Sequence, residues 1–134
     1  MTSVARVARA VLAALALAAP AAFGAESAPQ GALLPKDSTD AAVFRGGLVF
    51  ANYCVTCHGI NADGNGRAAR LYTPRPANLR TSDKNDDYLG LIIRKGGGAI
   101  GRSEFMPTWE AELTEEQIRD LVAYLRSINA SSRS

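Results

Sequence analysis

Histidine is almost missing from this chain: His58 is the only one, accompanied by two cysteines, one tryptophan and two methionines among 134 residues. That scarcity narrows the metal chemistry at once, because a structural zinc site wants four ligands and no second Cys or His cluster exists to complete one. Long apolar runs are also missing. The longest, Ala10 to Ala19, is rich in alanine and falls well short of the ~20 residues that cross a bilayer. No stretch alternates apolar and polar residues with a strict period of two, and no segment repeats, which argues against strands and against a solenoid. An excess of positive charge is absent as well. Arg6 and Arg9 stand in an N-terminal leader that holds no Asp or Glu, so thirteen of the fifteen Lys and Arg remain to face thirteen Asp and Glu. A near-neutral domain has no global field for nucleic acid.

The leader is read from its layout. Arg6 and Arg9 precede the apolar run, and small residues follow at Ala22, Gly24 and Ala25, the arrangement of a secretory signal peptide cleaved after Gly24 or Ala25. A membrane anchor is the competing reading of the same run. Residues 1–24 are thus expected to be removed, residues 25–38 to form a linker or N-terminal arm, residues 39–130 to form one domain, and residues 131–134 a tail. No membrane span is expected in the mature chain.

Within the domain, three helices are predicted. Ser38, Thr39 and Asp40 are good N-caps for a helix from about Ala41 to Tyr53, with Val43, Phe44, Val49 and Phe50 as its apolar content. Gly46 and Gly47 lie inside it. A glycine there costs about 1 kcal/mol relative to alanine, unless another backbone must pack closely on that face. A second helix runs from about Asp83 to Lys95, with Leu89, Ile92 and Ile93 at helical spacing and Gly96 placed to stop it. Thr114 and Gln117 fit a capping box at the start of the third, with Leu113 and Ile118 as a hydrophobic staple. Its apolar stripe is Ile118, Leu121, Val122, Leu125 and Ile128, and the helix around Gly46 and Phe50 is the available partner.

The two cysteines stand as Cys54-Val55-Thr56-Cys57, followed directly by His58. This is the attachment sequence of c-type haem: two thiols add across the two vinyl groups, while the adjacent imidazole reaches the iron. A disulfide across so short a loop would recover little chain entropy and would leave His58 unexplained. A thioredoxin-like pair would open a helix in a βαβ setting, whereas these cysteines close a helical segment. With His58 used, the sixth iron position falls by elimination to Met106, since Met1 leaves with the leader. Met106 stands in a glycine-rich loop before Pro107 and Trp109 and outside any apolar stripe; core filler is the alternative for a lone Met. Asp63-Gly64-Asn65-Gly66 lacks the later Glu of a calcium loop and is read as a turn.

From about Asp40 to Ile128 the chain resembles the class I monohaem c-type cytochromes. The resemblance rests on Gly46, Phe50 and Cys54 spaced four apart, on Cys54-x-x-Cys57-His58-Gly59, on Pro76-Ala77-Asn78-Leu79, on Met106-Pro107, and on a terminal helix holding Leu121 and Tyr124. It implies an all-α cytochrome c fold of three to five helices, with long loops wrapped around one covalent haem c. It also implies that the first and last helices cross at Gly46, and that a proline carbonyl accepts a hydrogen bond from the second nitrogen of His58, with Pro76 the first candidate and Pro74 the second. Tyr72 and Trp109 are candidates either for hydrogen bonds to a haem propionate or for rim packing.

The function implied is periplasmic one-electron transfer without substrate turnover. A thioether ligand favours Fe(II), so His58 and Met106 together imply a high potential. Expected partners are redox proteins docking transiently at the haem edge: a dehydrogenase or bc1-type donor, and a terminal oxidase or reductase as acceptor. A monomer is expected, unless the chain is a dedicated subunit of a periplasmic oxidoreductase complex. Haem-based sensing or peroxidase activity is a third reading and would require Met106 to dissociate easily.

Overall fold

Ser38 sets the start of the first helix, its Oγ accepting a hydrogen bond from the Ala41 N–H at 3.1 Å, which satisfies one of the orphan donors of the first turn. The computed structural model describes residues 33–129, and the predicted signal peptide and C-terminal tail lie outside them. Four α-helices are present among the described residues: α1 (Thr39–Tyr53), α2 (Val55–His58), α3 (Asp86–Lys95) and α4 (Glu115–Ile128). Single 3-10 turns occur at Ala69–Leu71, Leu79–Thr81 and Gly98–Ile100, and the described residues hold no strand. The all-helical expectation holds.

The pairing of α1 with α4 organises the rest, and Gly46 permits it. A Cβ on Gly46 would lie 1.9 Å from the carbonyl oxygen of Asp120 and 2.8 Å from the Tyr124 Cβ, so the two backbones touch where a side chain would otherwise stand. Val49 and Phe50 continue the buried face of α1, and the Phe50 ring meets Tyr124 at 5.3 Å between centroids. Phe44 does not belong to this face and is 62% exposed, because two residues along a helix turn a side chain about 200° away from Gly46. Beside the crossing, Arg45 grips Asp120 with two hydrogen bonds of 2.6 and 3.0 Å. Asp120 is buried, and a buried carboxylate is tolerated where a planar guanidinium satisfies both its oxygens.

Helix α3 begins three residues later than the sequence suggests. Asn85 is its cap, the side chain accepting from the Tyr88 N–H at 2.9 Å; Asp86 and Asp87 then occupy the first turn and Arg94 and Lys95 the last, complementing the helix dipole at both ends. Gly96 closes it, as expected.

The start of α4 is as predicted. Thr114 and Gln117 exchange backbone and side-chain hydrogen bonds of 2.9 and 3.2 Å, and Leu113 and Ile118 are both buried. Replacing Thr114 by alanine should cost about 1 kcal/mol, seen as a fall of roughly 4–8 °C in the melting temperature of the haem-loaded protein by circular dichroism. Thr114→Ser should restore most of it.

Ile118, Leu121, Val122 and Leu125 are buried and Ile128 packs against them, so the predicted stripe is the core face. At its C-terminal end Asn129 ties α4 to the loop before α3, its Nδ2 donating to the carbonyls of Leu79 and Ser82 at 3.1 and 2.8 Å.

Candidate cofactor site

The core is open on one side. A cleft of about 620 Å³ enters it, and its walls include the core residues Phe50, Leu89, Ile93, Leu121 and Leu125. Such a volume lies within the range of small-molecule and cofactor pockets. In a domain this small, apolar side chains that face a cleft instead of each other leave the core incomplete until something fills it.

Cys54, Cys57 and His58 reach that cleft from one place. Cys54 ends α1, its N–H donating to the Phe50 carbonyl at 2.9 Å, and the same residue begins α2, whose last residue is His58. A single turn thus presents both thiols and the imidazole. The loop that follows closes back on the turn: the N–H groups of Gly64, Gly66 and Ala68 donate to the carbonyls of His58, Cys57 and Thr56 at 2.9, 3.1 and 3.0 Å. Carbonyls left over at the helix end are satisfied and the turn is held in place.

The second ring nitrogen of His58 is fixed, but not by the predicted residue. His58 Nδ1 donates to the carbonyl of Ala77 at 3.0 Å, one position after Pro76. Pro76 also lines the cleft, yet its carbonyl turns toward Gly64, where an added Cβ would lie 2.4 Å away. Gly64 has φ +83°, a conformation open chiefly to glycine. Because successive carbonyls along an extended segment point in opposite directions, packing Pro76 against Gly64 turns Ala77 toward the imidazole. Pro74, the second candidate, lines the cleft without making this bond.

This hydrogen bond has an electronic consequence. A carbonyl only accepts, so Nδ1 carries the proton and Nε2 of the neutral ring keeps its lone pair. Burial pushes the His58 pKa below its ordinary value, with the Ala77 contact opposing in part. Burial also drives the Cys54 thiol up to about 12, with Cys57 adding to it. Burial therefore favours the neutral forms of Cys54 and His58.

Met106 enters the cleft from the loop between α3 and α4. Its carbonyl accepts from the Gly97 N–H at 2.9 Å, and the Trp109 N–H donates to the Ile93 carbonyl at 3.1 Å, so the loop is pinned to the end of α3 at Met106 and just after it. Aromatic pairs frame the opening. Tyr53 meets Trp109 edge-on at 5.4 Å, and Tyr72 meets Phe105 at 5.0 Å. Tyr72 and Trp109 both line the cleft, and each packs its ring on a neighbour, a pairing invisible in the sequence.

An iron porphyrin fits these residues. The cleft wall is largely apolar, two thiols stand beside it at the attachment spacing, an oriented imidazole offers a free nitrogen, and a thioether reaches the same space. Among the described residues no group of three or more His, Cys, Asp or Glu could hold an ion. Cys54 and Cys57 are free thiols, and the strands of a thioredoxin-like setting are absent from the described residues.

Comparison with known proteins agrees with the geometry. The family model for subunit III of cbb3-type cytochrome c oxidase matches residues 41–125, which contain every residue just described around the cleft. Among solved structures, a chain of the reducing HAO-like protein complex of Kuenenia stuttgartiensis aligns with a TM-score of 0.57 and 29% identity over 74% of this chain. The alignment spans 46% of that chain, so the likeness covers about half of it. No curated protein matches.

Proposed function

Since the chain belongs to the family of cbb3-type cytochrome c oxidase subunit III, a family of c-type cytochromes that implies haem c, we propose that it is a periplasmic one-electron carrier with its haem held by Cys54, Cys57, His58 and Met106. The observation that carries this reading is the arrival of all four side chains at one apolar cleft. Haem c bound there supplies reversible one-electron iron chemistry.

Each residue contributes a separable property. Cys54 and Cys57 provide the covalent tether. His58 offers Nε2 as a donor whose basicity is raised by the Ala77 carbonyl on the opposite nitrogen. Met106 offers a neutral, soft sulfur that favours the reduced state and so raises the potential. Phe50, Leu89, Ile93, Leu121 and Leu125 keep water from the site, which further disfavours the more highly charged oxidised state. If His58 and Met106 both hold the iron, no coordination site would be left for a substrate, and the chain would transfer electrons without turnover of its own.

Export follows from the leader, with cleavage after Gly24 or Ala25. Mature material isolated from a host with haem-attachment machinery should have a mass that begins at Ala25 or Glu26 and includes one covalent haem, and should titrate as a single one-electron couple. A mature mass equal to the bare polypeptide would end this reading.

A second reading is a permanent electron-transfer subunit of a periplasmic oxidoreductase. It is favoured by one observation: the matching family is named for an oxidase subunit, and the similar solved chain comes from a protein complex. Gel filtration of native material separates the two, a monomer supporting the free carrier and a stable larger species the subunit.

A further inference from the structure

The charges of this near-neutral domain are unevenly spent. Arg45, Lys84, Arg94, Lys95 and Arg126 each hold a carboxylate, and Arg102 donates to the Tyr88 hydroxyl at 3.0 Å. Arg67, Arg70 and Arg75 have no such partner among the described residues, and all three are exposed. They converge on one shallow cleft of about 350 Å³, completed by Asn65, Gly66 and Ala69, and no carboxylate lines it. Three unpaired guanidinium groups brought together repel one another, an arrangement that a complementary anionic surface relieves.

The position of this cluster relative to the cofactor site gives it meaning. Arg75 lines both clefts. Between Arg70 and Arg75, Leu71 is 73% exposed, and the neighbouring Tyr72 ring packs on Phe105, itself 47% exposed. An apolar centre bordered by unpaired cations, at the mouth of an electron-transfer site, has the anatomy of a weak docking patch: the apolar residues exclude water on contact and the charges steer approach. Arginine suits this use because its planar fork meets carboxylates bidentately.

We propose that Arg67, Arg70 and Arg75, with Leu71 among them, form the docking surface for a redox partner that presents an acidic face. The inference rests on the carrier reading above and adds the chemistry of the partner. A carboxylate surface is favoured over a lipid headgroup surface because the cluster abuts the cofactor cleft, where electrons must pass.

The test uses the haem-loaded protein on gold electrodes coated with monolayers ending in carboxylate, ammonium or hydroxyl groups. At low salt the protein should give a voltammetric wave on the carboxylate surface that is lost as salt is added. The variant Arg67→Glu/Arg70→Glu, which leaves Arg75 of the cofactor cleft in place, should lose about tenfold or more of the electron-exchange rate on that surface, and gain a response on the ammonium one. Its visible spectrum and its potential in a mediated solution titration should match the parent. Equal behaviour of parent and variant on the carboxylate surface would overturn the docking surface while leaving the carrier intact. Binding to phosphatidylglycerol vesicles without a carboxylate-dependent wave would also overturn it, assigning the patch to a lipid surface. Failure of the parent to titrate even with soluble mediators would overturn the carrier reading, and the docking surface with it.

Discussion

Replacing Gly46 by alanine should destabilise the domain by about 3 kcal/mol or more, at the upper end of what overpacking costs. The new Cβ would lie 1.9 Å from a backbone oxygen of α4 and 2.8 Å from the Tyr124 Cβ. Neither neighbour is the far end of a flexible side chain, so relief requires moving one helix off the other. That movement reaches well beyond the crossing. It pulls Arg45 from the buried Asp120, opens the contact between Phe50 and Tyr124, and displaces the end of α1 that carries Cys54. Against a typical domain stability of 5–15 kcal/mol, such a loss is a large fraction. By circular dichroism the melting temperature of the haem-loaded protein should fall by roughly 12 °C or more. The adjacent glycine supplies the control. A Cβ on Gly47 would meet only the Tyr124 ring at 3.4 Å, and alanine is the better helix former by about 1 kcal/mol. Gly47→Ala should therefore be neutral or stabilising. Equal effects of the two substitutions would show that helix propensity, not close approach, decides the position.

How much of this was legible beforehand depends on how far apart in sequence the interacting groups lie. The Cys54 to His58 turn, the Thr114 capping box and the stop at Gly96 are local, written within a few residues, and the structure repeats them. Gly46 was legible for a different reason. A glycine in a helix interior carries a cost that close packing explains, and the α4 stripe offered a partner. The start of α3 differs by three residues because the spacing of Leu89, Ile92 and Ile93 marks a helical face but does not say whether the helix begins at Asp83 or at Asp86. What separates them is nonlocal: Asn129, at the far end of α4, holds the Ser82 carbonyl and keeps the chain extended up to Asn85. The bond between Arg45 and Asp120 spans 75 positions, and nothing near either residue announces it. The acceptor for His58 was misplaced by one residue, since the choice between the carbonyls of Pro76 and Ala77 is set by the packing of Pro76 on Gly64, and a loop has no period from which to read that.

Shortening Met106 to alanine should change the colour of the protein without changing its fold. The loop is held by backbone contacts that the substitution spares: the Met106 carbonyl on the Gly97 N–H, and the Trp109 N–H on the Ile93 carbonyl. Helix content and the α1–α4 pairing should persist. The thioether, by contrast, has no deputy in the cleft. Among the other lining residues Lys84 is the strongest remaining donor, and its Nζ is engaged with the Asp83 carboxylate at 2.6 Å and lies over the Tyr88 ring at 5.9 Å. Loss of the sulfur should thus open one coordination position. The reduced variant should bind carbon monoxide at neutral pH where the parent does not. Removing the ligand that favours Fe(II) should lower the midpoint potential by about 0.1 V or more, within the ~0.8 V that axial ligation commands across haem proteins. Lys84→Ala should leave spectrum and potential near those of the parent. An unchanged spectrum in Met106→Ala would assign the sixth position to another group; a loss of potential in Lys84→Ala would name it.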